Sequence, residues 1–199
     1  MNPSIKFIYI DIGDTLFVDN AELVGNALGV PKEIFRKALN ENRLALYKGI
    51  LSPLEFVSNL RNKLNISPKD AIKKWDMALS NFSPIEPMHK LAEDLKKKYK
   101  VGLLTNIFLG HFEIFYNFGK IPNISYDSII KSCDVGYAKP EKEIYEIATQ
   151  KANVNPQEIF YIENKKEYAD AAINYGWRGF VFDPKNPVKS VKALRSVLL

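Results

Sequence analysis

Five short runs of β-branched and aromatic residues recur along the chain, separated by longer stretches with helical spacing. The runs are apolar on both faces, which is typical of parallel strands that are covered by helices on each side. They lie at residues 5–10, 101–104, 129–130, 159–162 and 180–182. This alternation predicts an α/β fold with a doubly wound, Rossmann-like parallel sheet.

The stretches between the runs begin and end with the turn residues that delimit helices. In the second half of the chain they predict helices at 87–99, 108–118, 140–151, 165–175 and 187–198. About ninety residues separate the first two strands, far more than one crossover helix needs. This segment contains helical patterns at 21–28, 31–47, 53–64 and 68–82. We therefore predict an all-helical cap over 17–84, inserted into a core domain formed by 1–16 and 85–199.

Composition and charge narrow the class of protein. The 199 residues, 46% of them hydrophobic, are enough to bury a sizeable core. The net charge is +5, but lysines cluster at 96–100, where a predicted helix ends and cations complement its dipole, so we expect no nucleic-acid partner. The single cysteine, Cys133, cannot form an intramolecular disulfide, and no apolar run reaches membrane-spanning length. We expect a cytoplasmic protein without a membrane partner, and nothing indicates its oligomeric state.

Polar residues follow the predicted strands at their carboxyl ends, where ligands bind in open α/β sheets. A lysine–proline step precedes the third crossover helix. These residues are Asp11, Gly13, Asp14 and Thr15 after the first strand, Thr105 and Asn106 after the second, Lys139 and Pro140 before the helix, and Glu163 and Asn164 after the fourth strand. Their common location predicts one site at this edge of the sheet.

In this order the four segments resemble the motifs of the haloacid dehalogenase superfamily, and the resemblance covers about residues 5–185. Residues 11–15 are similar to the family's Asp-x-Asp-x-Thr motif, and 103–106 to its strand that ends in Thr or Ser. Residues 139–140 match its Lys-Pro step, and 163–164 its acidic pair. The stretch 46–56 also resembles a cap segment of sugar-phosphate phosphatases and of the N-terminal phosphatase domains of epoxide hydrolases.

The resemblance implies that Asp11 is a nucleophile, which attacks phosphorus and forms an aspartyl-phosphate that water later hydrolyses. It also implies Mg²⁺ as the cofactor, since a carboxylate that faces a phosphate dianion needs charge neutralisation. The implied metal ligands are the Asp11 carboxylate, the Gly13 main-chain carbonyl and a side chain from Glu163 or Asn164.

The second and third motifs imply groups that bind the phosphoryl oxygens. Thr105, with the neighbouring amides around Asn106, would donate hydrogen bonds to a phosphoryl oxygen. Lys139 would place a positive charge near Asp11 and the phosphoryl group.

The chain departs from the family pattern at two positions that bear on activity. Gly13 stands where phosphatases of the family have a second Asp that acts as general acid and base, and such a group contributes roughly 10²–10⁴-fold in rate. Asp14, one residue further along, is the nearest candidate to replace it if the loop is rearranged. Asn164 stands where an Asp is usual, which leaves Glu163 as the acid of that pair and weakens the expected metal site.

Three functions remain open. The first is a slow or specialised magnesium-dependent phosphatase, a phosphoric monoester hydrolase acting on a small phosphorylated metabolite. The second is a catalytically impaired protein that keeps the fold for binding or regulation. The third is a 2-haloacid dehalogenase, for which Arg36 and Arg43 are candidates to receive the halide.

The two histidines and the aromatic residues of the predicted cap are interpreted as structural residues. His89 and His111 lack partners at metal-ligand spacing, so we assign them structural or surface positions. The aromatic residues of the predicted cap have the spacing of helix-packing residues rather than of ligand contacts. These are Phe35, Tyr47, Phe56 and Trp75.

Overall fold

A computed structural model of the chain describes residues 4–60 and 67–199. Its strands are β1 (Phe7–Ile10), β2 (Phe17–Val18), β3 (Ser83–Pro84), β4 (Lys100–Thr105), β5 (Ser128–Lys131), β6 (Ile159–Glu163) and β7 (Arg178–Val181). Five of them form one parallel sheet in the order β5-β4-β1-β6-β7. The predicted α/β, Rossmann-like fold is confirmed.

Helices cover this sheet and fill the segment between β2 and β3. That segment contains α1 (Ala21–Leu28), α2 (Lys32–Tyr47), α3 (Pro53–Asn59) and α4 (Pro68–Ser80). The helices of the remaining chain are α5 (Glu86–Lys96), α6 (His111–Asn117), α7 (Ser132–Val135), α8 (Lys142–Ala152), α9 (Lys166–Asn174) and α10 (Pro187–Leu198). Within the described ranges, no helix is both long and apolar enough to cross a bilayer.

The helices α1, α3 and α4 begin at side chains that cap their first turn, whereas α2 begins after Pro31 without such a cap. The side-chain oxygen of Asn20 accepts the Leu23 N–H, and Ser52 forms a reciprocal capping box with Glu55. The Ser67 hydroxyl accepts the Asp70 N–H at the start of α4. Such caps satisfy backbone donors that have no partner inside the helix. Residues 61–64 of the predicted helix 53–64 lie outside the described residues.

The short strands β2 and β3 pair antiparallel where the chain leaves the sheet domain and returns to it. Phe17 pairs with Pro84 and Val18 with Ser83. The Ile85 N–H donates to the Leu16 carbonyl oxygen at 2.8 Å directly beside this ribbon. This ribbon lies at residues 17–18 and 83–84, and the assignment of the segment 17–84 to a cap domain stays a prediction.

A second connection between the inserted helices and the sheet domain follows α2. Lys48 Nζ donates to Glu141 Oε1 at 2.6 Å. The next residue, Gly49, has a left-handed backbone (φ 68°), and a Cβ atom added there would lie 2.5 Å from the carbonyl oxygen of Cys133. Glycine is thus required at this position both by the conformation and by the close approach of two backbones.

We expect Gly49→Ala to destabilise the protein more than Gly29→Ala. Gly29 has the same left-handed backbone (φ 67°), but nothing lies within 4 Å of its added Cβ. Gly29→Ala should therefore cost only the conformational term of about 1–2 kcal/mol, whereas Gly49→Ala adds an overpacking cost of about 1–3 kcal/mol. Urea unfolding of the two variants measures the difference. Equal losses of unfolding free energy in the two variants would show that the backbone at Cys133 moves away from the added Cβ atom without an energetic cost.

Candidate active site

The sheet register brings Asp11 and Glu163 together. Tyr9 of β1 pairs directly with Tyr161 of β6, and Asp11 and Glu163 each follow two residues later, on the same face of the sheet as those tyrosines. The Asp11 N–H donates to the Ile162 carbonyl oxygen at 2.9 Å, which extends the pairing past the end of β1. Asp11 is 6% exposed and Glu163 is fully buried. Two carboxylates in such surroundings require a cation nearby.

Lys139 supplies that cation from the loop before α8. Its Nζ donates to Asp11 Oδ1 at 2.7 Å, to Glu163 Oε2 at 2.7 Å and to the Tyr161 hydroxyl oxygen at 2.8 Å. An ammonium group has three N–H donors, and these contacts use them all; the Leu104 carbonyl oxygen lies farther away at 3.2 Å. Tyr161 in turn donates its hydroxyl proton to Glu163 Oε2 at 2.6 Å. Lys139 is therefore the centre of a closed, buried network.

Asn106 holds the backbone of Lys139 from the end of β4. Its Oδ1 accepts the Lys139 N–H at 2.8 Å, and its Nδ2 donates to the Lys139 carbonyl oxygen at 2.9 Å. The Lys139–Pro140 peptide bond is cis. Thr105, the preceding residue on β4, is buried at the same edge of the sheet. In this arrangement Asn106 positions Lys139, a role that the sequence prediction did not assign to it.

The charges of this network shift its protonation equilibria. Burial raises the pKa of Asp11 to about 7; the charge of Glu163 adds to this rise and Lys139 opposes it. Burial alone would lower the pKa of Lys139, but the charges of Asp11 and Glu163 together outweigh it and the pKa is raised. Burial, followed by the charge of Glu163, raises the pKa of Tyr161 well above its ordinary value, so its phenol stays protonated and donates. Perturbations of this kind concentrate at functional sites.

The predicted metal ligands differ in whether their oxygen atoms are free of other hydrogen-bond donors. Glu163 Oε1 accepts the Lys165 N–H at 2.9 Å, so both oxygens of this carboxylate already have donors. Across residues 4–60 and 67–199, no three acidic, histidine or cysteine side chains are grouped as a metal site. The oxygen donors that remain are the Asp11 carboxylate, the Gly13 carbonyl and the half-buried Asn164 side chain, which are of the kind that Mg²⁺ prefers. A direct Glu163–metal contact stays a prediction that this arrangement does not favour.

Gly13 and Asp14 decide whether the site has a proton-transfer group. A Cβ atom at Gly13 would have nothing within 4 Å, so open space surrounds this position. Asp14 has a left-handed backbone (φ 54°), and its Oδ1 accepts the Asp19 N–H at 2.9 Å. That bond commits the Asp14 carboxylate to the turn that leads past β2. Its use as acid and base in place of residue 13 stays a prediction, without support from this geometry.

A cavity of about 150 Å³ lies between the inserted helices and the carboxyl edge of the sheet. Its polar lining consists of Gly13, Asp19, Arg43, Tyr47, Asn106 and Lys165. Its aromatic lining consists of Phe17, Phe35, Trp75, Phe82, Phe108, His111 and Phe115. The four aromatic side chains that the sequence assigned to helix packing thus divide into two groups. Phe35, Tyr47 and Trp75 also line the cavity, whereas Phe56 is not part of its lining.

Sequence reasoning missed several of these residues. Tyr161 could have been found, because it precedes Glu163 by two positions and period-two alternation places both on one face of β6. Lys165 directly follows the fourth motif. Asp19 and Tyr47 carry no signal in the sequence, since their relation to the site depends on how the inserted helices are placed. Asp19 lines the cavity, although the residue as a whole is exposed. Burial of its carboxyl group raises the pKa of Asp19, and the charge of Asp14 adds to this rise. The charges of Lys165 and Arg43 oppose the rise.

The two histidines have different hydrogen-bonding environments. His89 Nε2 lies 3.0 Å from the Leu16 carbonyl oxygen and 3.2 Å from that of Lys120, a structural position. His111 is 5% exposed, and its Nε2 has no hydrogen-bond partner among the described residues. Burial lowers the pKa of His111 to about 3, so its imidazole is neutral at physiological pH. The expectation of a structural or surface residue did not foresee its place in the cavity wall.

Comparison with known proteins gives the family. A family model for haloacid dehalogenase-like hydrolases matches residues 5–176, and the chain therefore belongs to this family of hydrolases. No curated protein matches the chain.

Solved structures show the same fold. A HAD family enzyme of Bacteroides thetaiotaomicron is 23% identical over 92% of this chain and 95% of its own, with a TM-score of 0.77. The same enzyme has been crystallised in complex with magnesium and inorganic phosphate. A 2-haloacid dehalogenase of Pseudomonas syringae is 16% identical over 91% of this chain and 87% of its own, with a TM-score of 0.66.

We expect Lys139→Met to lose about 3–5 kcal/mol of unfolding free energy at pH 7, because Asp11 and Glu163 would face each other without a cation. The pKa of Asp11, which burial already raises to about 7, would rise further without the opposing charge of Lys139 and lie well above that of the unfolded chain. The folded state would bind more protons as the pH falls, so the deficit should shrink between pH 7 and pH 5. Chemical unfolding at both pH values measures this.

The matched control is Lys166→Met, which removes an exposed lysine paired with Asp170 at 2.6 Å. Exposed pairs contribute about 0–1 kcal/mol. Equal losses in the two variants, or a Lys139→Met deficit that is independent of pH, would contradict the account of a buried network.

The lowered pKa of His111 leads to a separate prediction about how the free energy of unfolding depends on pH. Its pKa is about 3 in the folded protein and 6.5 as the unperturbed value. The unfolded state therefore binds the extra proton below pH 6.5, and the protein loses stability as the pH falls, by about 2 kcal/mol at pH 5 from this group. His111→Gln removes this loss. The stability difference between the original protein and the variant should thus change by that amount between pH 7 and pH 5, and parallel curves would refute it.

Proposed function

We propose that the protein is a phosphoric monoester hydrolase that transfers the phosphoryl group of a small phosphorylated metabolite to Asp11. The observation that carries this proposal is the bond from Lys139 Nζ to Asp11 Oδ1, in a buried network at the edge of the sheet where ligands bind. This bond orients the carboxylate. It also keeps a positive charge beside the position where the phosphoryl oxygens would lie.

The reaction has two steps at Asp11. A carboxylate oxygen attacks phosphorus and the bond to the leaving oxygen breaks, which gives an aspartyl-phosphate. Water then attacks phosphorus, releases inorganic phosphate and restores the carboxylate. Lys139 stabilises the negative charge in both steps, while Asn106 fixes the lysine and Thr105 lies at the same edge to contact a phosphoryl oxygen.

Mg²⁺ is the metal that suits the remaining oxygen donors. The Asp11 carboxylate, the Gly13 carbonyl and the Asn164 side chain would hold it, and when bound it would neutralise phosphate charge and polarise the phosphorus–oxygen bonds. The magnesium and phosphate complex of the Bacteroides enzyme supports this choice of metal. Because the set contains one carboxylate, we expect weaker binding than at a site with two.

The central test of this function is a gain of activity in Gly13→Asp. The open space around the Gly13 Cβ position admits the side chain, and an acid–base group there should raise kcat by about 10²-fold or more. Steady-state assays with magnesium and a panel of phosphate esters measure the change. Gly13→Asn is the matched control, because it has nearly the same shape without the proton-transfer function.

Two outcomes would contradict the proposal. One is that Gly13→Asp and Gly13→Asn have the same activity; the other is that Asp11→Asn leaves turnover unchanged. An active Gly13→Asp variant of an inactive original protein would instead indicate that the natural protein binds or regulates rather than catalyses.

Carbon–halogen hydrolysis is a second candidate, favoured by the position of Arg43. Of the two arginines predicted as halide ligands, Arg43 lines the cavity, whereas Arg36 lies near Glu22 away from the cavity lining. In that reaction Asp11 would displace halide from carbon, and neither magnesium nor an acid at residue 13 is needed. Halide release from 2-chloropropionate that persists with a chelator and is lost in Arg43→Met would establish it. Release that is absent in the original protein would exclude this substrate.

A further inference from the structure

One face of α2 runs along the cavity and changes from apolar to polar. Residues four apart lie on the same face of a helix, and those of α2 that line the cavity are Phe35, Leu39, Arg43 and Tyr47. The amino-terminal part of this face therefore presents hydrocarbon to the cavity. Its carboxyl-terminal part presents a guanidinium group and a phenol.

The polar end of the cavity adjoins the network around Asp11, although Asp11 itself is not part of the lining. The centre of the Tyr168 ring lies 5.3 Å from Lys139 Nζ and 5.0 Å from Lys165 Nζ, so one ring connects the buried ammonium group to the one that lines the cavity. Burial raises the pKa of Tyr47 to about 12, and the charge of Lys139 is one of those that oppose the rise. A molecule held at Asp11 would therefore enter the cavity at its polar end.

Two cations, Arg43 and Lys165, line this end of the cavity. Among residues 4–60 and 67–199, neither side chain forms an ion pair or donates a hydrogen bond. Asp19 is the carboxyl group of the same lining, and the charges of both cations act on it without direct contact. Two cations outnumber one carboxyl group, so this end of the cavity is positively charged whether or not Asp19 is ionised.

A carboxylate is the anionic group that suits these two cations. The planar guanidinium group of Arg43 can donate two parallel hydrogen bonds to it, and the ammonium group of Lys165 adds a point charge. A second phosphate, as a dianion, would be repelled more strongly by Asp19 than a singly charged carboxylate. The cavity volume of about 150 Å³, similar to that of cavities that hold one benzene molecule, restricts the ligand to a short carbon chain.

We infer that Arg43 and Lys165 bind the carboxylate of a small phosphorylated acid while Lys139 holds its phosphoryl group at Asp11. This inference rests on the proposed phosphatase function and deepens it, because it names the class of substrate. The two residues act on substrate specificity and take no part in the transfer of the phosphoryl group.

The first experiment compares each of three acids with its neutral amide in the presence of magnesium. The substrates are the O-phosphates of glycolate, 3-hydroxypropionate and 4-hydroxybutyrate and those of the corresponding primary amides, which have nearly the same shape without the charge. We expect kcat/KM of at least one acid to exceed that of its amide about tenfold or more, as for a charge-assisted hydrogen bond. Ratios near one for all three pairs would overturn the inference.

Substitutions then test which cations recognise the acid. Arg43→Met and Lys165→Met should each lower the ratio of acid to amide by roughly threefold or more, since each removes one charged donor. Arg36→Met and Lys166→Met are the matched controls, because both residues lie outside the cavity lining, on α2 and directly after Lys165. A merely structural role would lower kcat/KM for acid and amide alike, and this result for both cavity variants would contradict the inference.

The second experiment measures binding without turnover, so that it separates this inference from the proposed function. NMR titration with the free hydroxy acids and hydroxy amides should show at least one acid binding more tightly than its amide, by about tenfold. Arg43→Met and Lys165→Met should each reduce that preference. Thermal unfolding verifies that both variants fold, and Lys165→Met, a change at an exposed residue, tests the preference if Arg43→Met does not fold.

The two failures are distinguishable. A binding preference for the acid that depends on Arg43 and Lys165, without turnover of any ester even in Gly13→Asp, would reject the phosphatase and keep the carboxylate site. Hydrolysis of esters with no preference for an acid, or with a preference that both substitutions leave intact, would reject the carboxylate site and keep the phosphatase.

Discussion

The candidate site depends on one buried ammonium group shared by two carboxylates. Sheet register alone places Asp11 and Glu163 side by side at the end of β1 and β6, and in the protein interior their charges would repel each other strongly. Lys139 bonds to both at 2.7 Å. The surrounding polar groups serve the same arrangement, since Asn106 fixes the lysine backbone and Tyr161 supplies the third acceptor for its N–H groups.

This arrangement gives Glu163 a task besides the metal ligation that the family resemblance implies, since its carboxylate holds the Lys139 ammonium group. With Lys139 and Tyr161 on one oxygen and the Lys165 N–H on the other, both oxygens of this carboxylate have hydrogen-bond donors, and its role as a metal ligand stays a prediction. Under the proposed function, Asp11 would be the nucleophile with Lys139 as its electrostatic support, whereas Gly13 offers no side chain for proton transfer.

The fold was predictable because its signals are local. Apolar runs on both faces of a strand define a parallel sheet, and Ser and Asn caps define where α1, α3 and α4 begin. The grouping of Asp11, Lys139 and Glu163 was predictable because they follow strands of one sheet or precede its crossover helix. The direction of Asp14 was not, since it depends on a left-handed backbone at that residue and a bond to the Asp19 N–H. The place of His111 was not either, because the cavity wall exists only once α4 packs against α6.

The most direct test is to trap the covalent intermediate on Asp11. The protein is mixed with magnesium and phenyl phosphate, quenched in acid within the time of one turnover, and digested for peptide mass spectrometry. Because no acid–base group at residue 13 promotes hydrolysis of the intermediate, a phosphoryl group should accumulate on the peptide that contains Asp11 and be absent in Asp11→Asn. Release of inorganic phosphate without any phosphorylated Asp11 would contradict the account.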